Sequence, residues 1–172
     1  MTAALTLYVD RAGRCRWVDV ARAALRAKQL PFSERALDLA RGEQCDADFV
    51  ARSLTATVPA LEHAGRVITE SLAIAEYLAE SFPFPAHPRL FPADLGERAR
   101  ARQLMLWLRS AAPGPDALLA MATRALGDRA TVCSSWCIAD SDLALALAEA
   151  QAAGARLPAP LAALVARELG GR

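Results

Sequence analysis

Between Phe82 and Pro92 the chain sets prolines at 83, 85, 88 and 92. Each removes a backbone donor and biases its predecessor away from the helical region, so no helix runs through this stretch. The chain of 172 residues is thereby split into halves with different patterns. Strand and helix signals alternate ahead of the prolines, and everything beyond them reads as helix. The order predicts an α/β half followed by an all-α half, with a first domain at 1–81, a linker at 82–93 and a helical domain at 94–172.

In the first half, Leu5 to Val9 is a short run of strand formers before a turn at Asp10 to Gly13. Arg14 to Lys28 follows as a helix with a stripe of Trp17, Val18, Ala21, Ala24 and Leu25. Pro31 ends it, Phe32 to Leu39 suits a second strand, and Glu43 to Arg52 is polar and loosely helical. Val58 to Leu61 and Arg66 to Ile68 form a hairpin around Ala64-Gly65, and Ser71 to Ser81 reads as a helix. In the second half, helices are expected at 95–110, 116–126, 138–153 and 160–169.

Composition excludes several functions. Twenty basic and 19 acidic residues, net charge +1, leave no bulk field for nucleic acid or an anionic membrane. No apolar run approaches the roughly 20 residues of a membrane-spanning helix. Without a basic leader, the expectation is a soluble, cytoplasmic protein. The four cysteines form no CxxC pair, and two histidines cannot complete a zinc cluster, so no metal is expected. Cys133 and Cys137, four residues apart, read as buried thiols. Trp107 and Trp136 read as core, and Arg98, Arg100 and Arg102 as a solvated helix face or a dimer contact.

Three places could carry chemistry. Cys15 stands near the N-terminus of the first helix between Arg14 and Arg16, where the helix dipole and cations favour a thiolate; the bland alternative is a small residue buried against the sheet. Pro59 after Val58 can be cis and leave the preceding backbone free to pair with an extended peptide, or it can be an ordinary edge-strand proline. Glu70-Ser71 opens a helix, with Ser71 as N-cap, and the pair could hold both charges of an amino-acid head group or serve only as a cap.

Taken together, the run from Val58 to Leu78 resembles the signature of the glutathione transferase superfamily: Val58-Pro59, a glycine hairpin, Glu70-Ser71, then Ala73-Ile74 and Tyr77-Leu78. The segment Trp136-Cys137-Ile138-Ala139-Asp140 resembles the start of that family's core helix. Arg98 to Gln103 ahead of Trp107-Leu108 is similar to a bacterial branch. The resemblance implies a thioredoxin-like domain followed by a shortened helical domain. It also implies glutathione as co-substrate, the Val58 backbone pairing with its cysteinyl part beside a cis Pro59, and Glu70 and Ser71 holding its γ-glutamyl group.

The thiol-activating residue has two candidates by resemblance. Cys15 matches the position of a Ser or Cys and implies mixed disulfides and thiol transfer; Tyr8 matches the tyrosine of other members and implies conjugation. The reading leans to Cys15. Arg16 replaces the Pro often found after the catalytic residue, Thr57 replaces a basic residue before Val58, and Cys137 replaces the Ser/Thr cap, leaving Asp140 without its capping partner. The chain is also shorter than typical members around Pro113 to Cys133 and after Leu169, which implies a shallow, open second-substrate site. The expected function is a glutathione-dependent transferase or thiol-disulfide reductase in detoxification or oxidative stress, acting on a small electrophile or disulfide, with a homodimer left open. The alternative is a glutathione-binding or protein-interaction module without catalysis; a third is a structural member with no ligand site.

Overall fold

The computed structural model describes residues 4–13 and 15–170. They divide into two compact units, one to Leu90 and one from Phe91.

The first unit runs β1 (Leu5–Asp10), α1 (Arg16–Ala27), β2 (Ser33–Leu37), α2 (Ala47–Arg52), β3 (Ala60–His63), β4 (Arg66–Thr69) and α3 (Ser71–Ser81). Its sheet has the order β2-β1-β3-β4, with β1 parallel to β2 and antiparallel to β3, and β3 antiparallel to β4. This is the thioredoxin-like arrangement that the resemblance implied, and it fills the α/β half that the alternating pattern predicted. Side chains alternate along β1, so its two faces serve two cores. Leu5, Leu7 and Val9 face α1 and α3, where Val18, Ala21, Leu25, Ile74 and Leu78 are buried. Tyr8 turns the other way, into a cluster with Leu37, Phe49 of α2 and Ala60.

The polar segment expected to be loosely helical resolves into 3-10 turns at Leu39–Arg41 and Glu43–Cys45 followed by α2. Its one fully sheltered apolar side chain, Phe49, anchors α2 on the sheet against the Tyr8 ring, 5.2 Å away.

The proline stretch is fastened along much of its length. Lys28, the only lysine, is 1% exposed and donates from Nζ to the Phe82 carbonyl at 2.6 Å. His87 bonds the Lys28 carbonyl through Nδ1 at 3.1 Å, and its ring meets Phe82 edge-on. Loss of hydration, then the nearby Arg89 charge, pushes the Lys28 pKa down. Composition alone gave no sign that a lysine closes the end of α1.

The second unit is helical: α4 (Leu95–Ser110), α5 (Pro115–Leu126), α6 (Ile138–Ala152) and α7 (Ala159–Leu169). Alpha6 is buried on nearly every face, from Ile138 through Leu147, as a central helix must be. Its buried polar side chains, Asp140, Ser141 and Asp142, each have a partner. Asp142 pairs with Arg109 at 2.6 Å, and Ser141 donates to Glu168 at 2.7 Å. The capping box expected to fail does form. Asp140 Oδ2 accepts from the Cys137 N–H at 2.9 Å, and the Cys137 side chain faces the Asp140 N–H in return.

The arginine cluster is not a solvated face: Arg98 donates to the Pro92 and Ala93 carbonyls, Arg100 to those of Val132 and Ala125, and Arg102 stacks over Phe91. These residues tie the loops before α4 and after α5 to α4, because planar guanidinium groups satisfy carbonyls that have no helix partner. Trp107 and Trp136 are half-buried rather than core, and the Trp136 indole N–H donates to Glu168 at 3.0 Å.

Candidate functional site

Beta1 ends at Asp10, whose carboxylate accepts from the Ala12 N–H and whose carbonyl accepts from the Gly13 N–H. Gly13 takes φ +66, a left-handed value that glycine adopts freely, and this turn delivers the chain to α1. Cys15 is the N-cap of α1, in extended conformation. Its carbonyl accepts from the Val18 N–H, while its side chain does not cap the helix. The half-buried thiol instead donates to the Val58 carbonyl at 3.8 Å, a sulfur-length contact across 43 residues of sequence. Arg14 lies outside the described residues, and the Arg16 guanidinium stacks 4.1 Å over the Trp17 ring.

The Val58-Pro59 peptide is cis. Val58 lies beyond the last pair of the β3–β4 ladder, Ala60 with Thr69, so its peptide edge stands outside the sheet. Register then brings in the third element. Thr69 pairs with Ala60 and is followed directly by Glu70 and α3. Cys15, Val58-Pro59 and Glu70-Ser71 therefore gather at one end of the sheet.

Here the structure revises the expected cap. Glu70, not Ser71, occupies the N-cap position of α3, and Ser71 is the first helical residue, 1% exposed. Glu70 holds φ +69, a left-handed backbone that a side-chain-bearing residue adopts at a cost of about 1–3 kcal/mol. The Glu70 side chain makes no cap bond, and its carboxylate is exposed beside the first-turn N–H groups of α3. That combination can take an anion at the helix end and a cation at Glu70.

Tyr8 is placed differently. It is 2% exposed, and its hydroxyl donates to Glu62 Oε2 at 2.7 Å and accepts from Arg52 Nη2 at 3.1 Å. Arg52 closes the ring with a 3.0 Å bond to Glu62. The Tyr8 hydroxyl, foremost, and Arg52 hold the Glu62 carboxyl below the usual range. Glu62 pairs in register with Thr6, further from Val58 than Ala60 is, so the Tyr8 hydroxyl is drawn away from the end where Cys15 stands. Arg52 and Glu62 were not singled out from sequence, because separations of 44 and 54 residues from Tyr8 leave no local signal.

In the second unit, α4 and α5 enclose a cleft of about 330 Å³ bordered by Leu104, Trp107, Met121 and Arg124. Among the described residues no group of three or more His, Cys, Asp or Glu side chains is arranged to hold a metal ion, and no helix is long and apolar enough to cross a membrane.

Comparison with known proteins gives a consistent picture. A family profile described as the glutathione S-transferase N-terminal domain matches residues 14–81. A glutathione transferase homolog from Burkholderia, solved with bound glutathione, is 37% identical and superposes with a TM-score of 0.84, over 96% of this chain and 91% of that one. A maleylacetoacetate isomerase from Anaeromyxobacter dehalogenans, also solved with bound glutathione, is 29% identical with a TM-score of 0.69, covering 97% and 89%. Glutathione S-transferase 1 of Dianthus caryophyllus is 40% identical over 98 residues, 57% of this chain and 42% of the relative. The matched part thus spans less than half the length of that curated relative.

Proposed function

The chain belongs to the glutathione S-transferase superfamily, and we propose that its first unit binds glutathione at the end of the sheet where Cys15, Val58 and Glu70 meet, and that Cys15 exchanges thiols there. The carrying observation is the Cys15 thiol on the Val58 carbonyl, at the end of the sheet where Thr69 leads into α3 and Glu70 makes no cap bond. In this reading the tripeptide lies extended, its cysteinyl backbone paired with Val58. Its γ-glutamyl carboxylate meets the first N–H groups of α3 and Ser71, and its ammonium meets Glu70. The ligand thiol then falls close to Cys15.

The chemistry is a thiol-disulfide exchange. The Cys15 thiolate attacks the glutathionyl sulfur of a mixed disulfide G–S–S–R, forming Cys15–S–S–G and expelling RS⁻, which takes up a proton. A second glutathione thiolate attacks the Cys15 sulfur-bound glutathione, releasing glutathione disulfide and regenerating the Cys15 thiolate. Conjugation directed by Tyr8 is the weaker reading, because that hydroxyl is already committed to Glu62 and approached by Arg52.

Calorimetric titration of reduced glutathione into the wild type and Glu70→Ala tests the binding half. The expected loss is tenfold or more, about 1.5–3 kcal/mol for one charge-assisted bond. Mass spectrometry after exposure to glutathione disulfide tests the chemical half, with one glutathione expected on Cys15. Binding without an adduct would leave a ligand-binding module, and equal binding by Glu70→Ala would refute the placement of the head group.

A further inference from the structure

We propose that the first unit carries a second site, beneath α2 on the face of the sheet turned away from α1 and α3, for short zwitterionic peptides. A cleft of about 730 Å³ lies there. It is open because α2 presents the small side chains of Ala47 and Ala51, with Leu37 and Phe49 completing an apolar wall.

The two ends of the cleft carry opposite charge. At the first, Arg35 is exposed and holds its guanidinium 5.6 Å over the Tyr8 ring, with no hydrogen bond to any described residue. Its neighbour Arg52 is already engaged by Glu62, Tyr8 and the Asp48 carbonyl. Arg35 therefore has its donors available. At the second end Glu43 is engaged by Arg11 and the Asp38 N–H. The Asp46 and Asp48 carboxylates have no hydrogen bond or ion pair among the described residues.

Asp46 precedes α2 and Arg52 ends it, six residues apart, which at 1.5 Å per residue separates the ends by about 9 Å. An extended tripeptide spans about 10 Å between its terminal charges. Such a ligand sets its ammonium against Asp46 and Asp48, its carboxylate against Arg35, and small side chains along Ala47 and Ala51. A ligand with one charge would leave its uncharged end facing an unanswered charge of the cleft, so the lining favours a zwitterion over a plain anion or cation. Cys15, Val58, Glu70 and Ser71 do not border this cleft, so the proposal stands apart from the glutathione reading.

The test is a ¹H–¹⁵N titration of the full chain with tri-alanine. The expected result is shifts at the amides of Arg35 and residues 46–52, with those of Cys15, Val58 and Glu70 unmoved. N-acetyl-tri-alanine and tri-alanine amide should each bind about threefold more weakly, as should Arg35→Ala and Asp48→Asn, the scale of one exposed ion pair. Ala51→Trp fills the cleft and should abolish the shifts; if that variant fails to fold, the exposed Arg35→Ala carries the test. Shifts elsewhere, equal binding of the capped peptides, or no shift at millimolar tri-alanine would each overturn the site. A parallel titration with glutathione reads the Val58, Glu70 and Ser71 amides, so failure of either proposal is seen separately.

Discussion

Cys15 and Cys137 occupy the same kind of place, each the extended N-cap of a helix, and differ in everything that decides reactivity. Cys15 is half-buried, makes no cap bond and turns its thiol to a backbone carbonyl at the end of a sheet. Cys137 is fully buried and stands in a capping box with Asp140, 3.9 Å from the equally buried Cys133 sulfur. Burial foremost, then the Asp140 charge, pushes the Cys137 thiol far up, and burial foremost raises the Cys133 thiol as well. A helix N-terminus favours an anion only where water or a ligand can reach it. In the interior, the loss of hydration outweighs the dipole.

The sharpest way to break this contrast is to alkylate the native protein with iodoacetamide and follow each cysteine by peptide mapping. Cys15 should react in the folded state. Cys133 and Cys137 should react only through opening of the second unit, on the order of a thousandfold more slowly, since opening by about 4 kcal/mol leaves that fraction exposed. Comparable rates at all three would mean that burial does not separate them.

Next in size is the support under Cys137. Asp140 is fully buried and accepts from the N–H groups of Val132 and Cys137 at 2.8 and 2.9 Å. Asp140→Ala strands two buried donors and should lower stability by about 3 kcal/mol in urea unfolding. Burial foremost raises the Asp140 pKa. For a raised carboxyl the folded state binds the proton more tightly, so this group contributes stability below its ordinary value near 3.8, and the contribution disappears as pH rises through the folded value. At neutral pH its hydrogen bonds must outweigh that cost of ionisation. An unchanged midpoint in Asp140→Ala would show that they do not.

This pair also marks what the sequence could and could not disclose. The helix starting at Ile138, the hairpin around Gly65 and the helix from Ser71 were legible because turn residues and periodicity are local signals. Cys137 was legible as a helix start but misjudged as a cap, since a sulfur's success as an acceptor depends on Asp140 being held in place by Val132. At the candidate site, the motif singled out Val58, Glu70 and Ser71, yet only the fold could show that the strand starts at Ala60 and leaves Val58 outside it, that Glu70 takes the cap position and that Val58 meets Cys15. The Tyr8, Glu62 and Arg52 ring was hidden altogether, because three side chains meet there from three separate elements.

A smaller effect compares the two caps directly. Cys137→Ala removes a buried sulfur and half of a capping box and should cost about 1–2 kcal/mol. Cys15→Ala removes no cap bond from a half-buried position and should change stability by less than about 0.5 kcal/mol. A larger loss from Cys15→Ala would show that its contact with Val58 is structural, weakening its assignment as the exchanging thiol.

The smallest effect separates Cys15 from its rival. Glu62 is held below its ordinary pKa by the Tyr8 hydroxyl, so the unfolded chain binds its proton more readily. Its contribution to stability is present above the ordinary value near 4.5 and is lost as pH falls through the lowered folded value. Tyr8→Phe removes the main donor and should flatten the acid limb of the stability curve by less than about 1 kcal/mol, the range of a partly exposed, solvent-screened pair. The same variant should leave the alkylation rate of Cys15 unchanged, because the hydroxyl is turned toward Glu62 and not toward the thiol. A Cys15 rate that falls in Tyr8→Phe would reconnect the two residues and reopen the conjugation reading. An unchanged rate with an altered acid limb would leave Tyr8 a positioning residue that fastens α2 to the sheet through Arg52.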